Sequence, residues 1–310
     1  MDEIILYGAG SAGVFAESQL FDQGITIKGF CDGLKEGTVL CDGTREYPIL
    51  KFENIIGKGY RVIVTISKAS DRKKITEKLT NANITVTPLT DILDTPEDKV
   101  TYERNYVANF HINAMDPYFE AAEDQANLAV FWAEDSIFYQ MFRTLDLTSV
   151  VELACGRGRH VPQYIKNAGH ITLVDILEKN IQYCQERFSG ENKIRYYVNN
   201  GCDFQKLETG GVTALFTYDA MVHFESLDVW NYLKETYRIL KNGGKALFHH
   251  SNNTEDYRVS FKTGASGRNY MSRELFAHFA DRAGFRVIEQ RIIDWDETEA
   301  LDCLTLLEKT

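Results

Sequence analysis

Apolar residues along this chain follow two rhythms that alternate from end to end. Ile4-Ile5-Leu6-Tyr7 is a short unbroken apolar run, the pattern of a strand buried on both faces, and Ser11–Gln23 follows with helical spacing. Ile25–Cys31, Arg61–Ser67 and Ile84–Val86 read as further strands, with Ser70–Asn81 as a helix between the last two. The region Tyr118–Leu145 is aromatic-rich and reads as helical. Strands are then predicted at Val150–Ala154, Ile171–Asp175, Ile194–Val198 and Ala214–Tyr218. Trp230–Leu240 carries Trp230, Leu233, Tyr237 and Leu240 at helical spacing, Asn242-Gly243-Gly244 ends that helix, and Lys245–Ser251 is a fifth strand. Ser272–Ala283 is a helix with an imperfect capping box, since neither Glu nor Gln stands at the fourth place, and Gly284 stops it. Phe285–Ile293 and Asp302–Leu307 pair as a closing antiparallel hairpin.

Strands alternating with helices predict an α/β chain with parallel sheets covered on both faces and right-handed crossings. One strand–glycine loop–helix signature occurs twice, at Ile4–Gly13 and at Val150–Gly158, and opens each half. Between the halves, Thr87–Asp98 holds Pro88, Pro96 and a polar run, which reads as a boundary. The expected domains are 1–98 and 99–310, both Rossmann-like.

Composition narrows the function. A length of 310 residues suits two compact domains, and 44% hydrophobic with 25% charged residues is ordinary for a soluble globular protein. No apolar run approaches the ~20 residues of a membrane span, and the acidic start Met1-Asp2-Glu3 is unlike a signal peptide. The net charge of −11 is spread along the chain without a basic cluster, so neither nucleic acid nor membrane is expected as a partner. Cys31, Cys41, Cys155, Cys184, Cys202 and Cys303 form no CxxC pair, which argues against zinc and fits free thiols in a reducing cytoplasm.

The candidate chemistry gathers at strand ends. Val150–Arg159 is a strand ending in an acid, Glu152, followed by small residues that let a ligand approach the backbone, and then a helix with unpaired N–H groups. Asp175 ends the next strand, where a carboxylate can bind two ribose hydroxyls. Asn200–Phe204 follows the third strand. There Asp203 is suited to an amino group on a base and Phe204 to packing its ring. Leu215–Asp219 brings a fourth strand end to the same crevice.

These motifs resemble the class I S-adenosylmethionine-dependent methyltransferases, whose first motif is E/D-x-G-x-G-x-G. It reads here Glu152-Leu-Ala154-Cys-Gly156-Arg-Gly158, with Ala154 in place of the first glycine, and Leu240–Phe248 resembles the family's turn before strand five. The resemblance covers roughly residue 118 to the C-terminus. It implies a seven-stranded sheet with a closing antiparallel hairpin and a helical lid at about 102–147. It also implies S-adenosylmethionine held by Glu152, Ala154, Cys155, Gly156, Gly158, Asp175, Ile176, Cys202, Asp203, Phe204 and Tyr218. Within the lid, Phe138 and Phe142 are expected in the core, with Trp132 and Tyr139 facing the ligands.

Methyl transfer to a hydroxyl needs alignment and removal of a proton. His223, just beyond the fourth strand, is the candidate base. Only one of His249 and His250 can face the crevice from a regular strand, and His250, nearer the tip, is expected to do so. Asp219 with His223 is equally spaced to hold a divalent metal such as magnesium, and spacing alone leaves base and metal ligand open. Tyr218–Ser226, Ala246–Asn252 and Ile292–Lys309 are similar to a subgroup of bacterial methyltransferases associated with sugars and polysaccharides. That likeness implies O-methylation of a sugar or nucleotide-linked sugar; another small metabolite as acceptor, or a sensor without turnover, are the alternatives.

In the first domain, Gly8, Gly10, Ser11, Ala12 and Gly13 form a GxGxxG turn between strand and helix, with Asp32 about 20 residues on, where an acid can hold a ribose. Ile5–Gly13, Ile27–Gly33 and Tyr47–Leu50 resemble the nucleotide-sugar-binding domain of sugar acetyltransferases. The resemblance implies a second nucleotide site; a scaffold or homodimer contact is the alternative.

Overall fold

The computed structural model describes residues 3–41, 44–66, 69–89, 99–295 and 298–310. The predicted boundary at Thr87–Asp98 and the start Met1-Asp2 lie largely outside them. The chain divides into two compact units, Met1–Tyr102 and Glu103–Thr310.

The first unit is a six-stranded sheet in the order β3-β4-β2-β1-β5-β6. Its strands are β1 (Ile4–Tyr7), β2 (Gly29–Cys31), β3 (Thr38–Cys41), β4 (Arg45–Leu50), β5 (Arg61–Val64) and β6 (Thr85–Val86), with helices α1 (Ser11–Asp22) and α2 (Ala69–Asn81). All neighbours are parallel except β3 and β4, a hairpin absent from the sequence reading. β1 is buried at every position, as its unbroken apolar run requires.

The second unit begins with helices α3 (Lys99–Ala122, which starts in the first unit), α4 (Gln125–Trp132) and α5 (Ile137–Phe142). Its strands are β7 (Ser149–Leu153), β8 (His170–Asp175), β9 (Ile194–Val198), β10 (Val212–Thr217), β11 (Leu240–Ser251), β12 (Phe285–Trp295) and β13 (Thr298–Lys309). The crossing helices are α6 (Val161–Tyr164), α7 (Glu178–Arg187), α8 (Ser226–Ile239) and α9 (Arg273–Ala283). The sheet order is β12-β13-β11-β10-β7-β8-β9. β13 runs antiparallel to both neighbours and the rest are parallel, so the closing hairpin is present. Strand order reverses between β7 and β10, and in an open α/β sheet that reversal opens a crevice beyond the carboxyl ends.

Two apolar cores cover the sheet. Phe138, Phe142, Tyr164, Phe216, Leu247 and Leu304 pack on one face. Val151, Leu153, Phe204, Tyr232, Phe248 and Phe276 pack on the other. Along β11, Leu247 and Phe248 therefore point to opposite faces, and the strand's alternation carries the phase on to His249 and His250. The helix ends follow their sequences: Ser272 Oγ accepts the Leu275 N–H at 3.0 Å to cap α9, and Gly284, at φ +104°, ends it. The helix α8 stops at Ile239 and the chain turns straight into β11 at Leu240, so Asn242–Gly244 is strand, not a helix stop.

Candidate functional site

The β7–α6 turn is wound in left-handed backbone. Ala154, Gly156 and Gly158 have φ of 56°, 54° and 75°. This winding aims the Gly156 N–H at Asp175 Oδ2, 2.9 Å away. Asp175 Oδ1 accepts from the Leu177 N–H at 2.8 Å and from Asn180 Nδ2 at 3.2 Å. Burial pushes this carboxyl above its ordinary range, against the pull of those three donors. The acid at the end of β8 thus binds the two loops that follow β7 and β8 into one rim.

The turn, the end of β8, the loops after β9 and β10, and α3 enclose a crevice with about 1060 Å³ of empty space, counting its open mouth. The opposite wall is α3. Arg104 makes a two-pronged ion pair with the buried Asp228 on α8, at 2.9 and 2.5 Å. His111 and Phe119 stand further along the same helix. A Cβ on Gly156 would meet Phe119 at 3.3 Å, and one on Gly201, at φ +82°, would meet Ile176 and Arg104 at 2.5 and 2.7 Å. A Cβ at Gly201 would require Ile176 and Arg104 to move, and one at Gly156 would press on Phe119.

Beyond β10, Asp219 sits at φ +53° and its carboxylate pairs with Arg159 at 2.9 Å. The Asp219 N–H donates to His249 Nδ1 at 3.0 Å. That fixes the proton on His249 Nε2, which faces Asp302 at 3.1 Å. Arg268 closes the network with two bonds to Asp302, at 3.0 and 2.6 Å. Burial opposes ionisation of Asp302, but His249 and Arg268 more than offset it and hold the carboxyl at about 2. The Tyr218 ring stacks on His249 at 4.6 Å. His223 is buried with Nδ1 2.9 Å from the Gly267 carbonyl, so the proton is on Nδ1 and Nε2 is the acceptor. Burial, with help from His111 and Arg268, lowers its pKa to about 3. The His111 ring stands 5.5 Å from it.

Residues 150–244 match the family model described as a methyltransferase domain, which covers the turn, the Asp175 rim and the Asp219 loop. This chain carries a methyltransferase domain. No curated protein matches the chain. Among solved structures it is similar to a SAM-dependent methyltransferase from Aquifex aeolicus, at 15% identity, covering 63% of this chain and 100% of that one, TM-score 0.46. It is also similar to one from Mesorhizobium loti, at 13% identity, covering 56% and 97%, TM-score 0.45.

Around this crevice, the structure gathers Ala154, Cys155, Gly156, Asp175, Ile176, Tyr218, Asp219 and His223 into one lining. Other expected residues stand elsewhere. Glu152 lies beneath the turn, wholly buried, with Oε2 accepting the Tyr164 hydroxyl at 2.7 Å. Gly158 is a packing position, since a Cβ there would meet the Phe188 ring at 2.6 Å. Phe204 is buried against Tyr232, so its ring is core and not a ligand platform. The Asp203 carboxylate is turned to Asn200 and Gln205, at 2.8 and 2.9 Å, and Cys202 lies beside it outside the crevice.

His250 must also be corrected. Its ring stacks on Phe276 at 3.8 Å and bonds Thr305, while His249 is buried behind the Asp219 N–H, so neither ring lines the crevice. Being nearer the strand tip was the wrong criterion; the phase of β11 decides. Trp132 is likewise tied down, edge-on to Phe138 and Phe142 and donating to His160 Nδ1 at 3.1 Å. Neither it nor Tyr139 lines the crevice, where α3 is the cover. Sequence reasoning put Arg104 and His111 inside the helical lid expected at about 102–147 but singled out neither, because neither belongs to a recognised motif. Among the described residues no group of three or more His, Cys, Asp or Glu is arranged to hold a metal ion.

In the first unit, Gly8 is at φ +121° with a Cβ position 2.8 Å from Thr65 Oγ1, and a Cβ on Gly13 would sit 2.0 Å from the Gly8 carbonyl oxygen. Asp32 ties this loop down, accepting from the Ala9, Leu34 and Lys35 N–H groups at 2.8, 2.8 and 3.1 Å. Space is open around the Cβ position of Gly10. Ala12 is part-buried on α1, and the side chain of Ser11 lies outside the described residues.

Proposed function

We propose that this chain is an S-adenosylmethionine-dependent O-methyltransferase whose acceptor is a sugar or nucleotide-linked sugar. The observation that carries the first part is the Asp175 rim: a buried carboxylate joined to a left-handed glycine turn at the switch point of the sheet. The residues suit the cofactor. Gly156 and Gly201 leave a cradle that any Cβ would fill, Asp175 offers carboxylate oxygens to ribose hydroxyls, and the 154–156 backbone offers close approach. When bound, S-adenosylmethionine supplies a methyl group activated by its sulfonium charge.

The chain's own groups divide the remaining work. His223 and His111, both depressed by burial, are uncharged at neutral pH and so do not repel a cation in the crevice. His223 Nε2, the unprotonated ring nitrogen, can accept a hydrogen bond from a hydroxyl. Asp219, held by Arg159 and by the His249 ring behind its N–H, is the polar group at the end of β10. The sugar acceptor rests on the likeness of Tyr218–Ser226 and Ile292–Lys309 to sugar-pathway methyltransferases. The absence of any CxxC pair and the burial of five of the six cysteines favour a reducing cytoplasm.

Calorimetric titration with S-adenosylmethionine and S-adenosylhomocysteine tests this. Micromolar binding is expected, weakened at least about tenfold in Asp175→Asn, since a hydrogen bond to a charged group contributes about 1.5–3 kcal/mol. No binding of either at millimolar concentration would sink the reading.

A further inference from the structure

Across the Arg159–Asp219 pair from the cofactor crevice lies a second compartment, with about 1230 Å³ of open space. It is walled by α4, the start of α5 and the end of β12. It shares Ala122, Arg159, Tyr218 and Asp219 with the first, while His223 lines only the first. Its floor is aromatic. Phe131 and Trp295 lie nearly parallel, 12° apart with ring centres at 6.1 Å, and Tyr218 is 4.8 Å from Phe131. Trp295 is held in place from behind by the buried Arg268, 4.7 Å from its ring centre.

The polar groups both donate and accept hydrogen bonds. Asn127 gives one of its two amide N–H groups to the Ala121 carbonyl at 3.0 Å and keeps the other N–H beside its amide oxygen. Asp294 uses one oxygen on the Ala300 N–H at 2.8 Å. Among the described residues the charged lining is Arg159 against two carboxylates, Asp219 and Asp294. Such a surface suits a ligand with one apolar face and hydroxyls that both donate and accept, and disfavours an anion.

We propose that this compartment is the acceptor subsite and takes a neutral, polyhydroxylated ring. The ring's apolar face lies on Trp295 and Phe131, and its hydroxyls reach the Asp219–Arg159 pair at the boundary with the cofactor crevice. This rests on the methyltransferase reading and deepens it: the compartment holds the glycosyl unit and no phosphate. The reacting hydroxyl meets Asp219 and Tyr218 at that boundary.

The test is calorimetry on the full chain with the methyl α-glycosides of glucose, mannose and rhamnose. Glucuronate and glucose 6-phosphate serve as charged counterparts, with and without S-adenosylhomocysteine. At least one neutral glycoside is expected to bind at millimolar concentration, tenfold or more tighter than the anions. Trp295→Ala is expected to weaken it at least tenfold and Trp295→Phe to restore most of the loss. Affinity for S-adenosylhomocysteine should be unchanged in both. Equal or tighter binding of the anions, wild-type affinity in Trp295→Ala, or no glycoside binding would overturn the proposal. Loss of S-adenosylhomocysteine binding in the wild type would instead sink the methyltransferase reading, and the glycoside titration would still read the subsite.

Discussion

Ala154 stands at φ 56°, where an L-residue with a Cβ is strained by about 1–2 kcal/mol. The sequence showed only that alanine replaces the first glycine of a motif, and suggested a slightly narrower approach; the larger consequence is in the backbone. Glycine relieves the strain but costs about 0.5–1 kcal/mol in unfolded-chain entropy. Ala154→Gly is therefore expected to stabilise the second unit by up to about 1 kcal/mol in urea unfolding. Destabilisation of that size would mean the turn is not left-handed there. Residue identities alone located Asp175 and Gly156, because an acid at a strand end followed by small residues is a local pattern. They misplaced Phe204, since an aromatic after a strand reads the same whether it points into a crevice or into the core. Only the packing of Tyr232 on α8 distinguishes the two.

At the scale of elements, the strand β13, paired on both edges, carries one buried charged anchor. Asp302 is fully buried and holds both His249 on β11 and Arg268 from the segment before α9. Asp302→Asn keeps the shape and removes the charge, leaving Arg268 uncompensated in the interior. A loss of about 3–5 kcal/mol is expected in urea unfolding. A loss below about 1 kcal/mol would show that Arg268 finds water or another partner. The α9 cap is a smaller effect: Ser272→Ala should cost about 1 kcal/mol. Sequence pattern located the central strands closely, because β7, β8 and β10 are apolar runs between loops. It passed over the β3–β4 hairpin, whose Arg45, Glu46 and Pro48 break the apolar signature at the sheet edge. It implied that His249 and His250 point to opposite faces of the sheet. Choosing between them needed the register of β11 against β13, a long-range pairing that no local window contains.

At the scale of the whole molecule, stability should carry an unusual pH dependence traceable to Glu152. Burial raises its carboxyl from 4.5 to about 8, and the hydrogen bond from Tyr164 offsets only part of that. Between pH 4.5 and 8 the folded chain therefore keeps a proton that the unfolded chain has lost, so this group lowers stability as pH rises, by a few kcal/mol across the window. Asp302 has the opposite sign but another window, since its contribution is lost only as pH falls from 3.8 toward 2. Buried imidazoles such as His223 also oppose Glu152 below pH 6.5, because their folded form refuses a proton that the unfolded form binds. The clean quantity is thus the difference between wild type and Glu152→Gln, in which those terms cancel. The three tryptophans, Trp132, Trp230 and Trp295, all lie in the second unit, so their fluorescence in urea follows the unit that contains Glu152. Glu152→Gln should gain on the wild type steadily from pH 5 to pH 8. A difference that stays constant across that range would place the Glu152 carboxyl in its ordinary range and require a hydrated cavity beneath the β7–α6 turn.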